Sequence, residues 1–279
     1  MEDTASAVSA QLKFLPIDDA PHQSVSINVL VLPFHIKIET FAALNCLRED
    51  NSLLLMATLI DFVRLARWFE PLNDEQRSRV EDVVTGQAFA AGATVVSKGE
   101  SVDAWYGVIE GLMKVHTDSP DGKSVTFAGI PAGGWVGEGS LLRTEPRRYG
   151  LIALRTTRVA YLPRSTFEWL LDTSIAFNRF LLEQLNERLA QFIAMMEYQR
   201  LLDTDARIAR CIGEMFNSIL YPGNGNRIAI SQEEIGFLTG ASRQRVNRAL
   251  RKLEAEGLLS VEYGAITVAD VETLRRFGS

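Results

Sequence analysis

The sequence predicts an α+β chain: an antiparallel β-roll, a long central dimerisation helix and a C-terminal winged helix-turn-helix. Three observations carry this reading. Short β-rich pieces separated by glycines fill residues 83–163. An apolar seam with helical spacing runs from Ile175 to Met196. The stretch SQEEIGFLTGASRQRVNRALRKLEAEGLLS, residues 231–260, then holds two helical patterns with almost nothing between them. The predicted parts are an N-terminal extension (1–64), the roll (65–172), the central helix (173–203) and the winged head (204–279).

The extension begins with residues 1–26, which Pro16 and Pro21 interrupt and which read as disordered. SINVLVLPFHIKI is β-prone. FAALNCLREDNSLLLMATLIDFVRLARWF is largely helical, with a cap at 50–52 and a stripe of Leu55, Leu59, Phe62 and Leu65. This apolar surface reads as packing or as a regulatory arm. Arg67-Trp68-Phe69 leads into PLNDEQRSRVEDVV, a small helix before the roll.

The roll is read from ATVVSKG, AWYGVIEG, MKVHT, SVTFAGI and RVAYLP, with SPDGK at 119–123 as a hairpin turn. Within it lies GGWVGEGSLLRTEPRRYG, residues 133–150. Gly137, Glu138 and Gly139 break the strand rhythm and expose amides beside a carboxylate, and Arg147 and Arg148 follow. Glycine-lined amides with an arginine suit an anion, typically a phosphate. The alternative is a roll corner with a structural Glu–Arg pair.

On the central helix, Leu182, Leu185, Leu189, Phe192 and Met196 recur at three and four. That is a heptad seam, which favours a two-chain contact over packing on the helix's own domain.

In the head, DTDARIARCIGEMFNSIL (203–220) predicts a supporting helix that buries Ile208, Ile212, Met215 and Phe216. Ser231 and Glu234 form a capping box, Ile235 and Leu238 face inward, and Thr239-Gly240 ends that helix. Ser242 caps the next, whose stripe is Val246, Leu250 and Leu253. Arg243, Gln244, Asn247 and Arg248 stand off that stripe on the first turns, where a helix entering a major groove needs long donors. Arg245, Arg251 and Lys252 suit phosphate contact. LLSVEYGAITVA predicts a two-stranded wing turning near Tyr263-Gly264, and VADVETLRRF a last short helix. A hairpin of helices with a solvated basic face is the bland alternative.

Composition narrows the function. The formal charge of −6 excludes a generally basic nucleic-acid coat, yet residues 243–252 carry five positive charges and no negative one. Two distant cysteines, Cys46 and Cys211, argue against a cysteine-held zinc or iron–sulfur cluster within one chain. The polar start MEDTASAVSAQ is unlike a secretory leader, and no apolar run approaches a membrane span, so a cytoplasmic protein is expected. No histidine stands near a nucleophile and an acid at motif spacing, so no enzyme is expected.

The order of parts resembles the catabolite-activator and fumarate–nitrate-regulator (Crp/Fnr) family of bacterial transcription regulators, over roughly residues 65–279. ASRQRVNRALRKLEAEGLL resembles its recognition helix and IAISQEEIGFLTG its first helix. DGK…WVGEGSLL is similar to the phosphate-binding cassette of cyclic-nucleotide domains, which makes the roll cyclic-nucleotide-binding-like. The resemblance implies a homodimer on a palindromic double-stranded operator, with RNA polymerase as a further partner if it activates. It implies base contacts at Arg243, Gln244 and Arg248, and Gln244 replaces a position often Glu. Glu138 falls where relatives hold a ribose hydroxyl and Arg148 where they hold a cyclic phosphate. Tyr149 and Gly150 replace a small hydroxyl residue and alanine. Phe192 and Ile193 replace a Thr-Ser pair that reads adenine. The pocket Gly137, Glu138, Gly139, Arg148, Tyr149, Phe192 and Ile193 therefore has three readings. It takes a different, aromatic or apolar effector; it takes cyclic AMP or GMP in another pose; or it holds nothing, with Glu138 and Arg148 paired. The expected cofactor is at most a small-molecule effector of open identity, no metal is expected, and His116 is only a weak haem candidate. A dimer that binds protein rather than DNA is the alternative from another class.

Overall fold

The computed structural model describes residues 58–118, 124–143, 145–201, 203–222 and 225–278. The β-prone and helical readings before residue 58 and the turn at 119–123 lie outside the described residues.

A helix described over 58–64 (α1) leads through a turn to α2 (Asp74–Val83). Asn73 and Gln76 cap α2 reciprocally, which satisfies two amide donors of its first turn. The roll follows as β1 (Thr85–Phe89), β2 (Thr94–Val96), β3 (Ala104–Glu110), β4 (Leu112–Asp118), β5 (Ser124–Pro131) and β6 (Trp135–Val136). It continues with a short α3 (Glu138–Arg143), β7 (Gly150–Ala153) and β8 (Thr157–Pro163). All pairings are antiparallel, in two sheets ordered β1-β8-β3-β6 and β2-β7-β4-β5. The sequence reading found five of these strands; β1, β6 and β7 carry too little β-branched character to stand out.

β3 shows why two cores form. Successive residues of a strand point to opposite faces. Ala104, Tyr106 and Val108 enter the lumen between the sheets with Val136, Leu151 and Val159. Trp105 points the other way, into a cluster with Trp68, Trp135, Phe167 and Phe177. The Trp105 and Trp135 ring centroids are 4.6 Å apart, and Trp68 meets Trp135 edge-on at 5.1 Å. Gly107 is glycine because a Cβ there would lie 2.8 Å from both the Phe62 and Trp135 rings.

Leu59, Val63, Ala66, Trp68 and Phe69 belong to this same cluster. The segment from residue 58 is thus part of the roll's core, and a boundary at 64/65 cuts through it. The predicted stripe is corrected at its end: Leu65 is 83% exposed, because α1 stops at 64 and the following turn rotates Ala66 inward instead.

α4 (Arg164–Thr173) closes the roll, and α5 (Ile175–Leu201), 27 residues long, runs on toward the head. The head comprises α6 (Thr204–Glu214), β9 (Arg227–Ala229), α7 (Gln232–Thr239), α8 (Arg243–Ala255), β10 (Leu259–Glu262), β11 (Ala265–Val268) and α9 (Val271–Arg275). Ile208, Ile212, Met215, Phe216, Ile235, Val246, Leu250 and Leu253 form its core, as their spacing predicts. The wing turns at Tyr263-Gly264, and β9 adds a third strand that the sequence reading missed. Among the described residues no helix is long and apolar enough to cross a membrane.

Candidate nucleic-acid interface and effector pocket

The two helices of the head are set by their caps. Glu234 amide donates to Ser231 Oγ at 3.2 Å, and Ser231 amide to Glu234 Oε2 at 2.6 Å. Gly240 exits α7 at φ 68°, a left-handed conformation that glycine adopts without a Cβ penalty. Two residues later Ser242 caps α8 by accepting from Arg245 amide at 3.3 Å. With Val246, Ala249, Leu250 and Leu253 buried beneath it, α8 presents Arg243, Gln244, Arg248, Arg251 and Lys252 to solvent.

Two predicted contact residues are placed differently. Arg245 is half-buried, with Nε 3.5 Å from Asp205 on α6, because it sits beside the buried Val246 stripe. Asn247 donates to Gln232 Oε1 at 3.3 Å and ties α8 to α7. Both position the helix in this structure. Lys252, at the far end, lies 5.3 Å over the Phe277 ring.

In the roll, Glu138 is buried and bonded, but not to Arg148. Arg188 of α5 donates from Nε to Glu138 Oε1 at 2.9 Å and from its second nitrogen to the Trp135 carbonyl. Trp105 Nε1 donates to Glu138 Oε2 at 3.3 Å. The reading in which Glu138 pairs with Arg148 is therefore corrected. Arg148 faces solvent and pairs with Glu145 at 2.8 Å.

The neighbouring arginine takes the interior position. Arg147 amide donates to the Glu100 carbonyl at 3.0 Å, and its carbonyl accepts from Gly99 amide at 2.8 Å. These bonds anchor Arg147 against residues 99–100, with its side chain buried while that of Arg148 is exposed. Arg147 is 2% exposed and donates to Tyr106 hydroxyl at 2.8 Å, with its guanidinium 4.5 Å from that ring. Among the described residues its Nε and one terminal nitrogen are buried without a hydrogen-bond partner, the latter beside Gly137. Tyr149 also turns toward this end of the lumen, and burial pushes its phenol up to about 12. Phe192 and Ile193 are exposed on α5, and Gly139 is open. The structure thus gathers Gly137, Glu138 and Tyr149 around Arg147 and Arg188, and leaves Arg148 outside.

Sequence reasoning missed Arg188, whose face of α5 is less apolar than the seam. A second periodicity was there to be read: Leu181, Gln184 and Arg188 are spaced three and four, and they face the roll while the seam faces away. His116 is buried against Gly150. Among the described residues no three His, Cys, Asp or Glu side chains cluster to hold a metal.

The seam itself is uncovered. Leu182 is 68% exposed, Leu189 58% and Met196 53%, with Phe192 beside them; only Leu185 is half-buried.

Comparison with known proteins agrees with this arrangement. Residues 87–174 match the cyclic nucleotide-binding domain, and residues 187–277 match the Crp-like helix-turn-helix domain. The chain belongs to the Crp/Fnr family of transcription regulators. It is a DNA-binding transcription regulator with a sensory β-roll. It is 27% identical over 184 residues to the cAMP-activated global transcriptional regulator CRP of Haemophilus influenzae, covering 64% of this chain and 82% of that one. It is 27% identical over 198 residues to the CRP-like cAMP-activated global transcriptional regulator of Mycobacterium tuberculosis, covering 67% and 85%. The structure of FixK2 from Bradyrhizobium japonicum superposes with a TM-score of 0.58 at 21% identity, covering 71% of this chain and 98% of that one. Roll and head also meet directly in this chain. Arg155, between β7 and β8, donates from Nε to Glu234 Oε1 at 2.7 Å and from a second nitrogen to Glu234 Oε2. One carboxylate therefore caps α7 and docks it on the roll.

Proposed function

We propose that this Crp/Fnr chain acts as a homodimer that reads a palindromic duplex site through α8. The observation that carries the reading is the segregation along α8: Val246, Leu250 and Leu253 are buried while Arg243, Gln244 and Arg248 stand free on its first turns. Arg243 and Arg248 have the bidentate geometry for guanine O6 and N7, and Gln244 for adenine. The exposed α5 seam supports pairing of two chains, which would present two such helices to a two-fold site.

Replacing Arg248 with Ala is expected to remove about 1–3 kcal/mol of discrimination at one base pair per half-site. Competition between the selected site and its single-base variants measures this. Equal weakening on every sequence would mean that Arg248 touches only phosphate.

Control by a cyclic nucleotide is the second reading, favoured by the names of the two CRP relatives. The bonding of Glu138 to Arg188 and the outward turn of Arg148 count against it.

A further inference from the structure

A cavity of about 80 Å³ lies where four elements of the two domains meet, away from Glu138 and Arg147. Phe127 and Gly129 of β5 form one wall, Met195 and Tyr198 of α5 another, and Met215 at the end of α6 with Leu238 of α7 the rest. Most of the lining is apolar, so water gains little by filling it. Its volume is well below the roughly 300–1,000 Å³ of pockets for drug-sized ligands, which excludes a nucleotide and suits one ring or one short branched chain.

The polar groups on its rim differ in what they lack. Glu214 already accepts from Gln191 at 3.4 Å and faces Arg275 at 3.8 Å. Among the described residues Arg207 has only the Thr204 hydroxyl at 3.3 Å, and its Nε is buried without a partner. The carboxylates near Arg207 in sequence are engaged elsewhere, Asp203 with Ala206 amide and Asp205 with Arg245. A buried guanidinium donor beside an apolar space calls for an anionic acceptor. Cys211 also lines the cavity, but burial pushes its thiol up to about 12, so it contributes surface rather than reactivity.

We propose that this junction cavity binds a small carboxylic acid with an aromatic or branched apolar body. The carboxylate meets Arg207 and the body fills the space between Phe127, Met195 and Leu238. Such a ligand touches the roll, the central helix and α7 together. Its occupancy therefore shifts the docking of the head and, resting on the DNA-binding reading above, the affinity for DNA.

The test uses the full chain with benzoate and isovalerate as probes. Saturation-transfer NMR is expected to show binding of at least one. Arg207→Met removes the donor and Ala128→Leu fills the cavity; each is expected to abolish the signal, and a shared loss with intact folding places the probe here. The bound probe is expected to change the DNA dissociation constant by about fivefold or more. Absence of saturation transfer for both probes, or a signal unchanged in both variants, overturns the site. Binding that leaves DNA affinity unchanged overturns the coupling. If the ligand-free chain selects no DNA, the DNA reading falls, and the NMR result alone still decides the cavity.

Discussion

Arg188 on the central helix holds Glu138 of the roll at 2.9 Å, in a place where both are nearly dry. A buried pair of this kind contributes little net stability when intact, yet losing one partner leaves an uncompensated charge. Glu138→Gln is expected to destabilise the chain by about 3–5 kcal/mol. The double variant Glu138→Leu with Arg188→Met is expected to recover most of that loss, because two apolar groups replace two charges. Urea unfolding of the parent and the two variants measures it. A single variant as stable as the parent would show that water reaches the pair.

The same bond bears on ligands. A cyclic nucleotide would need the Glu138 carboxylate that Arg188 and Trp105 already occupy. Calorimetric titration with cyclic AMP and cyclic GMP is expected to give no binding in the parent chain. A saturating heat with either would show that Arg188 yields to the ligand.

The seam predicts an assembly. Leu189 is exposed at the middle of the α5 stripe, flanked by Leu182 and Met196. Leu189→Glu places like charges across a two-fold contact and is expected to convert a dimer to monomers in analytical ultracentrifugation. A dimer of unchanged strength would place the interface elsewhere.

The docking of the head should depend on pH. Burial alone would raise the Glu234 carboxyl, but its hydrogen bonds to Arg155 and to Ser231 amide outweigh that and hold it below its ordinary 4.5. A carboxylate lowered in the folded state stabilises fully above its unfolded value, and the contribution is lost as pH falls through the folded one. The gap in melting temperature between the parent and Arg155→Gln is therefore expected to be constant at neutral pH and to shrink below about pH 4.5. A gap independent of pH would mean that Arg155 acts through packing rather than charge.

The head was the most legible part of the sequence. Ser231, Glu234, Gly240 and Ser242 are local signals, and a cap or a left-handed exit is decided by neighbours a few residues away. The candidate pocket was legible only in outline. Gly137 and Glu138 mark the place, but which of Arg147 and Arg148 enters the lumen depends on the backbone bonds of Arg147 to Gly99 and Glu100, some 47 residues distant. Arg188 and Arg155 each act across a domain contact, 50 and 79 residues from their carboxylates, and no local spacing announces such a partner. Asn247 and Arg245 read as candidate DNA contacts because their turn of α8 is polar; their contacts to Gln232 and Asp205 lie on other helices and carry no local signal.

The most direct test of the central claim is selection of bound sites from a pool of random duplex DNA by the purified full chain, followed by sequencing. Two recognition helices on a two-fold dimer predict an enriched palindrome whose half-sites lie about one helical turn apart, with half-sites rich in the guanines and adenines that Arg243, Gln244 and Arg248 can read. Enrichment of a single half-site, or no enrichment above the starting pool, would contradict it.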